Sequence, residues 1–256
     1  KLSPSMTPQE LIAALSKAPI PDMVRVMLLE GWTSGQFGKA IEEAGLCPKD
    51  RFMAIVRDPA SIGLNMPEGI SNLEGFLFPD TYDFKPGTEC GDIVKRLVSH
   101  FSEKFTADHV AKARALGLNI IQAVTLASLV EKEARIEEER RTISGVMYRR
   151  LKAGHRLEID ATYKYRDGEW LPDARRGGPG YMQSYDTYAV AGLPPGPICN
   201  PGAAALDAAV EPDVNTKYWY YVTRKDGSYG HYFNETFAGH QRDIGRSAAN
   251  RRRLGN

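Results

Sequence analysis

Cysteine is scarce in this chain of 256 residues: Cys47, Cys90 and Cys199 are an odd number, widely spaced, with no CxxC pair. That pattern argues against a zinc site or a disulfide framework and predicts buried free thiols. His100, His109, His155, His231 and His240 show neither HxxxH nor HExxH spacing, so no metal ligand set is expected. No apolar run approaches the ~18 residues of a membrane span. No Gly-rich phosphate loop precedes a helix, and Ser128 stands in LASLV, not in a GxSxG elbow, so serine hydrolysis has little support. Charge of one sign is lacking too. The 33 basic and 32 acidic residues leave a net charge of +1, which gives no global argument for nucleic acid or an acidic polymer. Repeats and low-complexity segments are absent. The opening KLSPSMTPQEL has no initiator Met and no signal sequence, which leaves open a fragment whose leader or anchor has been removed.

What is present centres on residues 119–139, NIIQAVTLASLVEKEARIEEE. Apolar residues recur at three- and four-residue steps through Ile120, Val124 and Ala127, the period of a helix with one buried stripe. Glu131 and Glu133 interrupt that stripe. At about 100° per residue they lie about 200° apart, so they cannot share one task on one face. Glu131 continues the middle of the stripe and Glu133 its edge. An edge carboxylate can be half desolvated, which raises its pKa, and still reach a substrate in a groove. The plainer reading puts both in an ordinary charged helix end, since Arg135, Glu137, Glu138 and Arg140 follow.

In chain order, TPQE at Thr7–Glu10 predicts a capped helix with Leu11, Ile12 and Leu15 as its apolar side. A strand is expected over residues 23–29, and Thr33 with Gln36 forms a capping-box pattern for a helix over Phe37, Ala40, Ile41 and Ala44. Strand, turn and capped helix are the layout of a small βα carbohydrate-binding module resembling LysM. Another helix is expected over 50–61. LEGFLFPDTYDF, residues 73–84, reads as a hydrophobic connector between domains, with a boundary near Pro86-Gly87. Helices follow over 92–115 and, after a break near 137–139, over 141–153. Residues 155–165 alternate as a strand would, Asp167-Gly168 is a turn, and RRGGPG at 175–180 reads as a mobile loop. Asn200-Pro201 predicts a helix start with Asn200 as the cap. YWYYVT and residues 229–233 predict a hairpin, and residues 237–253 a basic C-terminal helix. The fold class is therefore α+β. A LysM-like module with its connector spans 1–84, and a mixed α/β catalytic domain, built around the central helix, spans 85–256. Tyr185, Tyr188, Asn200 and Asn234 could stack on and hydrogen-bond to sugar rings, which suits a glycan groove.

Four stretches in one order, LEGFLFPDTYDF, ASLVEKEA, SYDTYAVAGLPPGPICNPG and GHYFNET, resemble the YceG-like (MltG) endolytic murein transglycosylases over essentially the whole chain. The resemblance implies a membrane-anchored protein acting on nascent peptidoglycan at the periplasmic face of the bacterial inner membrane, this chain being the soluble portion without its anchor. It implies peptidoglycan strands as substrate, cell-wall synthases as candidate partners, and no cofactor, metal or nucleic acid. The catalytic glutamate of the VEKE signature is carried over to Glu133, with Glu131 as the fallback. Asp160, Thr162, Ser184, Tyr185, Asp186, Thr187, Tyr188, Asn200 and Asn234 become the substrate-binding candidates. The chain departs from the family pattern at Glu158, Ala161 and Asp186; an Asp at 186 offers no amide donor where the family has Asn.

The implied reaction cuts the β-1,4 bond between N-acetylmuramic acid and N-acetylglucosamine. One Glu acts as acid, then as base on the muramyl C6 hydroxyl, leaving a 1,6-anhydro end. Glu131 is expected to be structural, held by a basic side chain or backbone donors. The SYDTY and CNPG segments are expected to wall the groove beside Glu133. Two rivals stand beside this: a lysozyme-type hydrolase using Asp160 or Asp186 as second carboxylate, and a glycan-binding scaffold without chemistry.

Overall fold

In the computed structural model, which describes residues 4–15 and 23–255, helix α1 (Pro8–Leu15) begins where TPQE places it. The Glu10 amide donates to Thr7 Oγ1 at 3.3 Å and the Thr7 amide to Glu10 Oε2 at 2.8 Å, a reciprocal cap. Of its expected apolar side, Leu11 and Leu15 lie outside the described side chains, and Ile12 is 64% exposed.

Strand β1 (Val24–Met27) is followed by α2 (Ser34–Glu43), α3 (Lys49–Arg57) and a 3-10 turn at Pro59–Ile62. Strand β2 (Thr81–Phe84) returns antiparallel to β1, pairing Val24 with Phe84 and Met27 with Thr81. The capping box that opens α2 is formed, with the Thr33 amide on Gln36 Oε1 at 2.9 Å. Val26, Phe37, Ile41, Phe52 and Tyr82 meet in a first core. Helix α4 (Cys90–Lys104) adds Ile93, Val94 and Leu97 to that same core. The core therefore continues past Pro86-Gly87, which only turns β2 into α4, and packing moves to the second core within α4 at Phe101.

Cys47 and Cys90 form a disulfide, with Cα atoms 5.4 Å apart. This corrects the expectation of free thiols. The 43-residue separation concealed the pairing. Cys47 follows α2 and Cys90 opens α4, and the first core docks those two ends together. Cys199 is free and buried, as expected.

The connector joins the cores directly. Leu73 and Leu77 enter the first, Phe76 and Phe78 the second. Between them Gly75 has φ +85, and a Cβ there would lie 2.5 Å from Pro197, so only bare backbone fits against the LPPGP segment.

The second core is helical. After α5 (Ala107–Ala115), α6 (Ile120–Glu133) is capped by Asn119 and buried from Ala123 to Val130 on every side. It ends at Glu133, sooner than expected: Ala134 is extended, and Glu137–Glu139 forms a separate 3-10 turn before α7 (Arg140–Lys152). Of residues 155–165 only Tyr165 enters a strand. Glu158 takes φ 56, and a 3-10 turn runs Asp160–Lys164. The physical reason is that the Ile159 amide and carbonyl bond to the side chains of Thr187 and Thr162, at 2.9 and 2.7 Å, leaving no ladder partners. The expected turn at Asp167-Gly168, with φ 47 and 87, links β3 (Tyr165–Arg166) to β4 (Glu169–Trp170). Helix α8 (Ala203–Val210) starts from Gly202, not Asn200, whose side chain is engaged elsewhere. Its small residues Ala205, Ala208 and Ala209 pack against α6 in the second core. β5 (Tyr220–Thr223) and β6 (His231–Asn234) form the expected hairpin, and α9 (Phe237–Arg253) packs on it. The architecture is α+β, with two-stranded sheets set among helices. Among the described residues no single helix is long and apolar enough to cross a membrane.

The disulfide closes a long loop inside the first core, where cross-links typically contribute about 2–4 kcal/mol. Cys90→Ser should lower the unfolding free energy from denaturant titration by that amount, and reductant should lower the parent's equally while leaving the variant's unmoved.

Candidate active site

Helix α6 ends in three consecutive charged side chains, Glu131, Lys132 and Glu133, that do not share one environment. Glu133, in its last turn, opens into a cleft of about 740 Å³ between the Glu158–Asp160 turn, Tyr188, the β5–β6 hairpin and the start of α9. Burial first, then the nearby charge of Asp160, pushes its pKa up to about 7, against a hydrogen bond from Tyr221 and the charge of Lys164. The partial negative charge at a helix C-terminus acts in the same upward direction. Burial and the adjacent Glu133 push the Tyr221 phenol well above its ordinary value, so it stays a hydroxyl donor. Glu133 is thus a carboxyl that can hold its proton near neutrality and still face a cleft.

Lys132 also lines the cleft, with Nζ 3.8 Å from the centre of the Trp170 ring, and burial lowers its pKa. Glu131 turns the other way. Its side chain is 8% exposed, accepts from the Gly202 amide at 3.1 Å and has Arg140 at 4.0 Å. Burial raises its pKa, opposed by that amide bond. A carboxylate so held is closed to a substrate in the cleft.

The other predicted site residues separate into three groups. Asp160 and Tyr188 line the cleft with Glu133, the Tyr188 hydroxyl donating to Asp160 Oδ1 at 2.9 Å. Thr162, Asp186 and Thr187 are buried and build the frame behind them. Asp186 accepts from Arg176 Nε at 2.6 Å, from the Tyr181 hydroxyl at 2.5 Å and from the Tyr188 amide at 2.9 Å. Burial opposes its ionisation, but the bonds from Tyr181 and Arg176 hold its pKa below the usual range. An amide donor is not needed there, because every contact is one that a carboxylate accepts. The same pair ties the 175–180 loop, read as mobile, to the cleft wall.

Tyr185, Ser184, Asn234 and Asn200 lie apart from Glu133. Tyr185 stacks obliquely on Tyr165, ring centres 5.1 Å apart, and borders a separate cavity of about 240 Å³. Ser184 is exposed outside the cleft lining, and Asn234 donates to Asp243 Oδ2 at 2.9 Å. Asn200 is fully buried. Its Oδ1 accepts from the Gly75 and Leu77 amides at 2.9 and 3.2 Å, and its Nδ2 donates to the Trp32 carbonyl and Glu74 Oε1, both at 3.1 Å. With its amide fully used, Asn200 belongs to the framework, and the groove wall expected from CNPG is corrected accordingly.

Sequence reasoning missed Glu74, Tyr221 and the pair His231–Glu139. Glu74, 3% exposed, accepts from the Ser34 amide and hydroxyl at 3.0 and 2.7 Å, the Tyr165 hydroxyl at 3.2 Å, and Asn200. Burial pushes it up to about 7 despite those donors. A carboxylate inside an apolar run, the signal that marked Glu131 and Glu133, was present in LEGFLF as well. His231 Nδ1, at the start of β6 in the cleft lining, meets Glu139 Oε2 at 2.7 Å, a pairing no local pattern announces.

The sequence pattern of the YceG-like family matches residues 1–246. The chain belongs to the YceG-like family. This YceG-like chain is 28% identical, over 240 residues, to an endolytic murein transglycosylase of Bacillus subtilis (strain 168), covering 88% of itself and 66% of that protein. It is 23% identical to an endolytic murein transglycosylase of Streptococcus pneumoniae serotype 2, covering 95% of itself and 49% of that protein. The chain thus spans about half to two thirds of the length of these curated relatives. A crystal structure of a yceG-like protein from Listeria monocytogenes superposes with a TM-score of 0.72 at 27% identity, over 94% of this chain and 82% of that one.

Two outcomes follow for the buried polar node. Asn200→Ala leaves the Gly75 and Leu77 amides without a partner, each typically costing about 1–3 kcal/mol, so the melting temperature should drop sharply. Glu74 binds a proton more tightly when folded (about 7) than its ordinary value of 4.5. Stability should therefore fall as pH rises between those values. Denaturant unfolding at pH 5 and pH 8 should show a smaller difference for Glu74→Gln than for the parent; an equal difference would place the titration elsewhere.

Proposed function

We propose that this chain is the catalytic part of a lytic transglycosylase that cuts peptidoglycan strands between N-acetylmuramic acid and N-acetylglucosamine. The observation that carries the reading is Glu133: a carboxyl whose pKa burial pushes up to about 7, facing a cleft of about 740 Å³. Protonated Glu133 gives its proton to the glycosidic oxygen as the bond to C1 breaks. The carboxylate then takes the proton of the muramyl C6 hydroxyl, whose oxygen closes onto C1 as the 1,6-anhydro ring. Proton and charge balance within one residue, and the tethered hydroxyl replaces an activated water. The Tyr221 hydroxyl steadies the carboxylate between the two steps. The names of the relatives from Bacillus subtilis and Streptococcus pneumoniae support the same reaction.

Asp160 favours a second reading. Its charge acts on Glu133 within the same cleft, so a hydrolase using two carboxylates has a candidate pair. Asp186 is not available for that role, being buried against Arg176. The capped α2 beside β1 supports a LysM-like module that positions the strand without chemistry. The Cys47–Cys90 bridge supports an oxidising compartment, consistent with the periplasmic face of the inner membrane.

Glu133→Gln should fold normally and lose about 10²–10⁴ in rate. Parent activity should decline as pH rises through about 7, where Glu133 gives up the proton it must donate. Mass spectrometry of the products decides the chemistry: an anhydro end is one water lighter than a hydrolytic end, and a glycan-binding scaffold yields no product.

A further inference from the structure

The cleft carries more positive charge than proton transfer requires. Other polar groups of its lining are already engaged: Asp160 by Tyr188, Glu158 by Arg150 at 3.3 Å, His231 by Glu139, and Lys132 by the Trp170 ring. Arg135 and Lys225 line the same cleft, are exposed, and among the described residues make no ion pair. Arg135 comes from the extended segment just after α6, two residues beyond Glu133. Its guanidinium lies 5.4 Å from the centre of the Tyr229 ring. Lys225 and Tyr229 sit at the tip of the β5–β6 hairpin in left-handed backbone, φ 52 and 61, a conformation that side-chain-bearing residues rarely adopt. Tyr229 is 59% exposed, so its ring holds Arg135 in place without burying it. Two cations and an aromatic plane thus line one cleft, the cations without an ion-pair partner among the described residues.

We propose that Arg135, Tyr229 and Lys225 form an anion shelf that binds carboxylate groups carried by the muramyl residues of the strand. This rests on the glycan-strand reading above and adds a substrate feature to it. The sugar backbone offers no charge of its own, so the carboxylates come either from the peptide stems or from the lactyl group left when a stem is removed. Arg135 presents a planar fork suited to a carboxylate, and Lys225 a point charge that tolerates several positions.

The test measures binding of labelled strands to the full chain in a Glu133→Gln background. Three substrates are compared: strands with intact stems, the same strands with their carboxylates chemically amidated, and stem-stripped strands bearing only lactyl carboxylates. Arg135→Gln combined with Lys225→Gln should weaken binding to intact strands by about fivefold. Arg135→Lys with Lys225→Arg, which keeps both charges, should retain most of it. Added salt should shrink the difference between the neutralised variant and its parent. On amidated strands that variant and its parent should bind alike. Weakening on intact strands alone assigns the stem carboxylates; weakening on stripped strands as well shows that the shelf also accepts the lactyl carboxylate freed when a stem is removed. Unchanged binding to intact strands, an equal loss on amidated strands, or no binding to any strand would overturn the shelf. Cleavage is scored separately with the parent protein, so a lack of product would count against the transglycosylase reading and leave the binding result intact.

Discussion

The burial of one carboxyl, Glu74, is the constraint on which the arrangement of the two cores depends. It lies in the connector that feeds Leu73 and Leu77 into one core and Phe76 and Phe78 into the other. A bare buried carboxylate costs several kcal/mol, so donors must converge on it from both sides. Ser34 arrives from the start of α2, Tyr165 from β3 and Asn200 from the segment before α8. Asn200 completes the junction by binding the connector's own Gly75 and Leu77 amides and the Trp32 carbonyl. The result is a polar knot inside apolar surroundings, which specifies one docking of the two units where hydrophobic contact alone would accept several.

Helix α6 shows how little separation two carboxyls need to acquire different chemistry. Glu131 and Glu133 are two residues apart, yet one meets the Gly202 amide and Arg140 while the other meets Tyr221 and open space. Both are raised by burial. Access separates them: a carboxyl closed in by an amide and a guanidinium can only hold structure, whereas one with a neutral phenol beside it can exchange a proton with a ligand. The early stop of α6 matters here. Had the helix continued through Arg135, that side chain would follow the helical face and not the segment that reaches Tyr229.

Behind the cleft, threonine and aspartate side chains take the place of a β-ladder. Thr162 and Thr187 satisfy the backbone of Ile159, and Asp186 joins Arg176, Tyr181 and Tyr188. This frame sets Asp160 and the Tyr188 hydroxyl in the cleft wall. Asp186 takes the guanidinium of Arg176 from the glycine-rich loop, a donor that a carboxylate can accept.

What the sequence determined by itself was local. Thr33–Gln36 and Thr7–Glu10 capped their helices, Asp167-Gly168 turned its hairpin, and the stripe of α6 placed Glu131 inside and Glu133 at the edge, because each of these depends on residues within a few positions. The aromatic density of residues 73–84 likewise marked a connector between cores. Only the tertiary structure decided what depends on distant partners. Cys47 finds Cys90 across 43 residues. Glu74 meets Ser34, Tyr165 and Asn200 from 40, 91 and 126 residues away. Asn200, a plausible cap and groove residue on local grounds, is drawn into that buried node, while Tyr221 reaches Glu133 only because the β5–β6 hairpin folds over the end of α6. Hydrogen bonding and desolvation act through space, so the proton affinity of a side chain is set by neighbours that chain order does not reveal.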